Sequence, residues 1–479
     1  MKQAIPDSSS TTQNANASDS SRAFSNLALS EALVENLTTL NYTSMTQIQA
    51  ESLPHILAGK DVIAQAKTGS GKTAAFSLGL LEKLNVKRFR VQSLVLCPTR
   101  ELADQVANEI RRLARSIHNI KVLTLCGGKP FGPQLGSLEH GAHIIVGTPG
   151  RIEEHVRKGS LDLSDVSMFI LDEADRMLEM GFQEPLENIC QALPGKRQTL
   201  LFSATFPKEI ERIAESYLKS PERISVEEAH TQSSIEQLFY QVEGEQNRIE
   251  ALIRLLLAFQ PVSTVVFCNT KVLTQSVADA LTDFGFSAEA LNGDLEQKER
   301  DQILTRFSSK AISVLVATDV AARGLDIEAL DAVVNFELAR DPEVHVHRIG
   351  RTGRAGESGR ALSFFSDKER YKVSLLADAC QLDIQSSSLP DSKVMNNPVF
   401  KPAMVCIQID GGKRDKLRPG DILGALTGSG AISGGQVGKI SVFPNSAFVA
   451  VDRSMLKTAL ALFNDGKMKG RRFRVRALR

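Results

Sequence analysis

Between residues 23 and 225 the apolar positions gather into short, non-alternating runs: "DVIAQA" (61–66), "SLVLCP" (93–98), "HIIVGTP" (143–149), "MFILDE" (168–173) and "TLLFSAT" (199–205). A longer stretch of helical period follows each of them. A run that is apolar at consecutive positions is a strand buried on both faces, so the pattern predicts a parallel sheet between layers of helices. A polar stretch, "VEEAHTQSSIE" (226–236), interrupts the rhythm, which resumes over 237–385 with "STVVFCNT" (263–270), "ISVLVATD" (312–319), "LDAVVNFE" (330–337) and "RALSFFS" (360–366). Residues 386–402 mix Ser, Asn and Pro without apolar period, the composition of a linker. From 403 to 479 the order reads strand (404–409), helix (418–426), strands (437–443 and 447–452), helix (454–465) and strand (472–478), the split βαβ plan βαββαβ. The predicted architecture is two tandem α/β parallel-sheet domains and a small C-terminal α+β domain. Residues 1–22, almost all small or polar, form an expected disordered leader.

Composition narrows the class. The 479 residues suggest about three units at roughly 150 residues each, and an apolar fraction of 42% excludes wholesale disorder. No apolar run approaches the ~20 residues of a spanning helix, and no apolar segment stands behind Lys2, so neither a membrane partner nor secretion is expected. Six scattered cysteines without a CxxC pair read as reduced core residues of a cytoplasmic protein. A net charge of +1 hides an asymmetry: residues 401–479 hold 15 Lys/Arg against 5 Asp/Glu, leaving 42 against 51 in residues 1–400. A basic terminal unit on an acidic body is the electrostatic footprint of a nucleic-acid partner.

The candidate chemistry lies where strands end. Ala66-Lys67-Thr68-Gly69-Ser70-Gly71-Lys72-Thr73 follows a β-type run and precedes a helical one. Glycines let such a loop wrap phosphate oxygens, Lys72 supplies a point charge, and the Thr73 hydroxyl suits Mg²⁺, which predicts a nucleoside triphosphate site. "FILDEADRM" (169–177) ends a strand in Asp172-Glu173, placing one carboxylate at the metal and the next where it activates an attacking water. "HVHRIGRTGR" (345–354) spaces Arg348, Arg351 and Arg354 three apart, and arginines of this kind neutralise charge on a transferring phosphoryl.

In order, these motifs resemble those of the DEAD-box RNA helicases, whose name is spelled by Asp172-Glu173-Ala174-Asp175, over residues 23–385. The resemblance implies two RecA-like domains, ATP and Mg²⁺ as cofactors, and RNA as partner. It implies that Phe24, Tyr42 and Gln49 read adenine, although Asn41 stands for the usual Gly, and Met45 and Gln47 for the usual prolines. Thr68, Gly69, Ser70, Gly71, Lys72, Thr73, Asp175, Ser203, Thr205, Gly324 and Asp326 are the implied nucleotide contacts, with Thr73 and Asp172 at the metal and Lys72, Asp172, Glu173, Arg351 and Arg354 catalytic. Pro98, Thr99, Arg100, Gly128, Thr148, Gly150 and Arg151 are the implied RNA track of the first domain. Asn269, Thr270, Gly293, Arg300, Thr318, Asp319 and Arg323 are that of the second.

Contacts to a strand's backbone carry no sequence information, so an address must lie elsewhere. Through "IDGGKRDKLRPGDILGALTG" (409–428), "VGKISV" (437–442) and "RVRAL" (474–478), the tail resembles the RNA-recognition-type domain of the DbpA subfamily, helicases directed to a hairpin of large-subunit (23S) ribosomal RNA. Its third strand, "PNSAFVAV" (444–451), keeps Phe448 but has Ser446 and Val451 at the other stacking positions, so recognition is expected from two basic loops, one with Lys413, Arg414, Lys416 and Arg418, the other with Lys467, Lys469, Arg471 and Arg472. The resemblance implies an ATP-dependent RNA helicase of ribosome assembly, with nothing requiring more than a monomer. An ATP-gated RNA clamp without essential unwinding is the alternative, and a DNA-directed translocase a rival that the Asp-Glu-Ala-Asp tetrad and the tail disfavour.

Overall fold

The computed structural model describes residues 22–66, 69–206, 208–226, 235–322, 330–353, 359–380 and 382–478. The expected leader, most of the expected linker 226–236, and the candidate residues Thr68, Arg323, Gly324, Asp326 and Arg354 lie outside the described residues.

Seven strands make the first sheet: β1 (Val62–Gln65), β2 (Ser93–Leu96), β3 (Val122–Leu125), β4 (Ile144–Gly147), β5 (Met168–Leu171), β6 (Gln198–Ser203) and β7 (Glu222–Ser225). They pair in parallel in the order β3-β4-β2-β5-β6-β1-β7. Successive strand residues enter opposite helical layers, Val62 and Ala64 one core and Ile63 the other, Leu200 and Phe202 one and Leu201 the other. This is why the central strands lack alternation in sequence: both faces are dry.

The second sheet comprises β8 (Ile235–Gln241), β9 (Thr264–Phe267), β10 (Ala288–Leu291), β11 (Val314–Ala317), β12 (Ala332–Asn335) and β13 (Gly359–Phe365), in parallel order β10-β11-β9-β12-β13-β8. The third is antiparallel, β15-β16-β14-β17, from β14 (Met404–Ile409), β15 (Val437–Val442), β16 (Ala447–Asp452) and β17 (Val475–Leu478). With the helices Pro419–Thr427 and Leu456–Asp465 it gives the expected βαββαβ order.

The first sheet and its helices form one compact unit, and the second and third sheets together form another. Two expected linkers hold structure. Ile235 and Glu236, the end of the 226–236 stretch, already belong to β8. Residues 386–402 carry little regular structure yet are packed, with Leu389, Met395, Val399 and Phe400 lying against the second domain's core. Among the described residues no helix is long and apolar enough to cross a membrane.

Candidate functional site

In open parallel α/β sheets, ligands bind beyond the carboxyl ends of the strands, and the first unit gathers its motifs there. The loop after β1 ends at Gly71, which caps the helix Lys72–Glu82 with φ +98°. A Cβ at Gly71 would also lie 2.5 Å from Gln49 Nε2 and 2.9 Å from Thr46 Oγ1, so glycine is required twice over, by backbone and by neighbour. The Gln49 amide donates to Gly71 O (3.1 Å) and accepts from Thr46 N (3.0 Å), which locks the helix Gln47–Leu57 to the phosphate loop. Each of these bonds uses one of the amide's two N–H groups and one of its oxygen's two lone pairs, which leaves a donor and an acceptor for an adenine edge. Phe24 is buried edge-on against Tyr42, 6.1 Å between centroids, and the Tyr42 hydroxyl donates to Glu109 (2.7 Å). Asn41 takes φ +61°, the left-handed backbone that its relatives' glycine would take and that asparagine tolerates, while Met45 fills the core.

Lys72 is buried, its ammonium donating to Ala66 O, and its charge acts on Asp172. Asp172 ends β5 fully enclosed, and burial pushes its carboxyl up to about 7 despite Lys72, with Glu173 and Asp175 pushing the same way. Glu173 takes a left-handed backbone, φ +53°, as the cap of the helix Ala174–Glu179. Strain at a non-glycine residue persists where the surroundings over-determine it. Here they do: Asp172 N donates to Leu96 O (3.0 Å), and Glu173 O accepts from the amides of Arg176 and Met177.

Asp175 joins the two strand ends. Its Oδ2 accepts from Ala204 N (3.1 Å), Thr205 N (2.9 Å) and Thr205 Oγ1 (3.0 Å), while Ser203 Oγ donates to Thr205 O (2.6 Å). The predicted nucleotide contacts Asp175, Ser203 and Thr205 are thus brought together as a bracket between the turns after β5 and β6. Ser70 Oγ, by contrast, is buried in the phosphate loop without a hydrogen-bond partner among the described residues, as a group awaiting an anion would be.

The predicted RNA residues of the first unit also converge. Thr99 caps the helix Arg100–Leu113 (Leu102 N to Thr99 Oγ1, 3.2 Å). The Arg100 guanidinium lies over Gly128, leaving no room for a Cβ there, and Gly127 N donates to Thr148 Oγ1 (3.3 Å). Arg151 donates to Lys129 O (2.9 Å) and pairs with Glu154 (3.0 Å), while Pro98 precedes Thr99 and Gly150 faces open space.

In the second unit, Arg348, grouped in the sequence with two arginines expected at a phosphoryl, instead organises the site from within. The helix Pro342–Ile349 ends before Arg351, so Arg348 and Arg351 do not share one helix face. Arg348 points inward, almost wholly buried, and donates to both Asp319 oxygens (2.7 Å each), Asn335 Oδ1 (3.1 Å), Glu337 O (2.8 Å) and Asn269 Oδ1 (2.9 Å). The Asn269 and Asp319 side chains, expected at RNA, are therefore held by protein. The Thr270 and Thr318 hydroxyls accept from Leu273 N and Ala321 N, Arg300 donates to Ala321 O (2.7 Å), and Gly293 lies beside the Lys271–Asp294 pair.

His345, one turn before Arg348, is a core histidine. Its ring stacks on Phe239 and lies 3.3 Å from Gln237 Oε1, and burial with Arg348 nearby lowers its pKa to about 4. Among the described residues no group of three or more His, Cys, Asp or Glu is placed to hold a metal. Because the folded state disfavours the proton that the unfolded chain takes up below about 6.5, stability is full above that pH and falls as pH drops toward 4. A loss of about 2–3 kcal/mol over that window is expected in denaturant titrations of the second unit, and His345→Gln should remove most of this component.

On the C-terminal domain, Lys413 N and Arg414 N donate to Phe443 O (2.8 Å) and Pro444 O (3.0 Å), fixing an exposed basic turn that ends at Lys416, φ +59°. Lys469 pairs with Asp421 (3.3 Å), and the Phe473 ring occupies the place a Cβ on Gly411 would take. The two basic loops therefore meet at one end of the domain.

Comparison with known proteins finds three matching stretches. Residues 46–213 match the DEAD/DEAH box helicase family, 247–356 the helicase conserved C-terminal domain, and 406–477 the DbpA RNA binding domain. The chain is 51% identical over 458 residues to the ATP-dependent RNA helicase DbpA of Escherichia coli K12, covering 95% of this chain and 100% of that one. It is 45% identical over 347 residues to the DEAD-box helicase CshA of Geobacillus kaustophilus, covering 72% and 74%. Saccharomyces cerevisiae Dbp5 bound to RNA and ADP BeF3 is similar in structure, with a TM-score of 0.69 at 29% identity, covering 78% of this chain and 98% of that one.

Proposed function

The chain belongs to the DEAD-box ATP-dependent RNA helicases of DbpA type, and from that premise we propose that it opens short RNA duplexes in the cytoplasm beside a hairpin of large-subunit (23S) ribosomal RNA during ribosome assembly. The observation that carries the address is the convergence of the 411–418 and 466–474 loops on a domain whose excess charge is basic. Lys413, Arg414 and Lys416 project from it and suit recognition of phosphate and RNA shape.

In this reading the residues after β1, β5 and β6 bind and turn over ATP. Ser70 and the loop amides take the phosphates, Lys72 moves from Ala66 O to them, and Glu173 orients and deprotonates water. Thr73 and Asp172 are the residues to hold magnesium: both offer hard oxygen donors, and the buried Asp172 carboxyl lacks a full counter-charge. A magnesium ion there supplies charge neutralisation at the phosphates. Arg351 and Arg354, from the second unit, neutralise the transferring phosphoryl. Asp175 transmits the state of the DEAD turn to Ser203-Ala204-Thr205, and the RNA strand runs past Arg100, Gly128 and Arg151. In the second domain the Asn269 and Asp319 side chains are engaged by Arg348, which positions the loops that carry them. A monomer suffices.

The test is ATP-dependent displacement of a short RNA strand, with and without the ribosomal hairpin appended. The full chain is expected to favour the appended substrate by about tenfold or more, through raised local concentration. A chain ending at Pro402 should lose that preference; its persistence would remove the tail from the role of address.

A further inference from the structure

Arg151, His155 and Lys158 fall at i, i+4 and i+7, on one face of the helix Pro149–Arg157 and its cap. Across that face lies Phe131, which opens the helix Phe131–Glu139 just beyond Gly127-Gly128. Its ring stacks on the His155 imidazole, 4.2 Å between centroids and 17° between planes. The Lys158 ammonium lies over the same ring, 4.1 Å from its centroid, and the Arg151 guanidinium at 5.7 Å. One aromatic ring, outside every motif singled out in the sequence, thus gathers a histidine and two cations.

His155 is a fixed floor for that ring. It is buried, and the one hydrogen of the Ser160 hydroxyl goes to His155 O (3.1 Å), so Nδ1 is the donor in its 2.8 Å contact with Ser160 Oγ. Nε2 then carries no proton, and it has no hydrogen-bond partner among the described residues. Burial, with Arg151 and Lys158 nearby, lowers the pKa of His155, so a neutral ring and not a third cation backs Phe131.

Arg151 is held from other sides as well. Its Nη1 donates to Lys129 O (2.9 Å), a carbonyl of the loop that leads into Phe131, and its Nε lies 3.0 Å from Glu154 Oε2. The other Glu154 oxygen accepts from Lys158 (2.6 Å), so one carboxylate is shared between two cations and the group keeps a net positive charge. A guanidinium carries its donors in a rigid fork, and a fork already oriented loses less freedom when it meets a phosphate.

We propose that Phe131 is a positioning residue for RNA binding: its ring, backed by His155, seats the Arg151 guanidinium where the strand's phosphates pass. The inference rests on the reading of Arg151 as an RNA contact. An aliphatic residue would fill the same space without offering a cation the negative face of a ring, and Arg151 would be left to its flexible ion pair with Glu154. The cluster stands in the turns after β3 and β4, whereas the phosphate loop and the Asp-Glu-Ala-Asp turn follow β1 and β5, so its effect falls on RNA affinity and not on the chemical step.

The experiment compares the full chain with Phe131→Leu, Phe131→Tyr, Arg151→Ala and the double variant Phe131→Leu/Arg151→Ala. Anisotropy of a short fluorescent oligo-A, with a non-hydrolysable ATP analogue present, reads RNA affinity, and urea unfolding on the same preparations shows that each is folded. Phe131→Leu should weaken oligo-A binding about tenfold, while affinity for the ATP analogue and RNA-free ATPase stay within about twofold. Phe131→Tyr, which keeps the ring, should stay within about threefold of the parent. Added to Arg151→Ala, Phe131→Leu should weaken binding by less than about twofold more, because the residue through which it acts is gone. A merely structural role predicts the full loss in both backgrounds. Parent-like affinity in Phe131→Leu, a tyrosine no better than leucine, or losses that multiply in the double variant overturn the proposal while Arg151→Ala still binds RNA poorly. Parent-like affinity in Arg151→Ala instead sinks the reading of Arg151 as an RNA contact, and the proposal with it.

Discussion

Glu173→Gln is expected to lower ATP turnover by about 10²–10⁴ while ATP and RNA binding stay within about threefold. The two side chains match in shape, and the strained backbone at this position is fixed by amides of the following turn and by Asp172 against β2, none of which depends on the carboxylate. What is lost is the base: an amide cannot take a proton from water. Steady-state ATPase with nucleotide and RNA binding on the same preparation checks this. Unimpaired turnover would move the base elsewhere. Repeated strand displacement by a variant unable to hydrolyse ATP would favour the clamp alternative over a cycling helicase.

Arg348→Ala is expected to destabilise the second unit by about 3 kcal/mol, because it strips the partner from the half-buried Asp319 carboxylate, orphans the buried Asn335 oxygen and leaves a cavity where the guanidinium stood. The guanidinium spans the carboxyl ends of β9, β11 and β12 through Asn269, Asp319 and Asn335, and lies over the Phe267 ring. A lysine point charge cannot make the paired bonds to Asp319, so Arg348→Lys should rescue little. Urea unfolding of the two variants checks the ranking. RNA-stimulated ATPase of the folded fraction should fall as well, since the same residue holds both predicted RNA loops and ends the helix that leads to Arg351. Near-parent stability of Arg348→Ala would mean the network is solvated and dispensable.

How far the sequence disclosed this architecture follows from where each strand sits. Every central strand of the two parallel sheets was legible as a continuous apolar run. The strands that were not, β3, β7, β8 and β10, are the edges of those sheets. "ERIS" and "AEAL" pair on one side only, with Arg223 and Ser225 exposed and Glu289 ion-paired with Arg306, so the double-faced apolar signature is absent. The linker at 386–402 misled for a related reason: Leu389, Met395, Val399 and Phe400 pack one by one against a preformed core, without a repeating period.

The candidate ATP site could be assembled from the sequence because its residues are adjacent in short motifs. Arg348 was singled out by its spacing as one of three arginines that neutralise a transferring phosphoryl, whereas its burial depends on acceptors at 269, 319 and 335 that only the sheet order brings together. The engagement of Gln49 with Gly71 was hidden in the same way, because the partner is a backbone carbonyl, which carries no mark in the sequence.

The central claim is that an RNA-activated ATPase core takes its address from the basic C-terminal domain. Steady-state ATP hydrolysis tests it most directly, without RNA, with poly-A, and with a large-subunit ribosomal RNA fragment carrying the hairpin, for the full chain and for a chain ending at Pro402, which keeps the strap that packs on the second domain. Strong stimulation by the fragment alone, lost on truncation, is the predicted result. Equal stimulation by both RNAs, or a preference that survives truncation, would contradict the account.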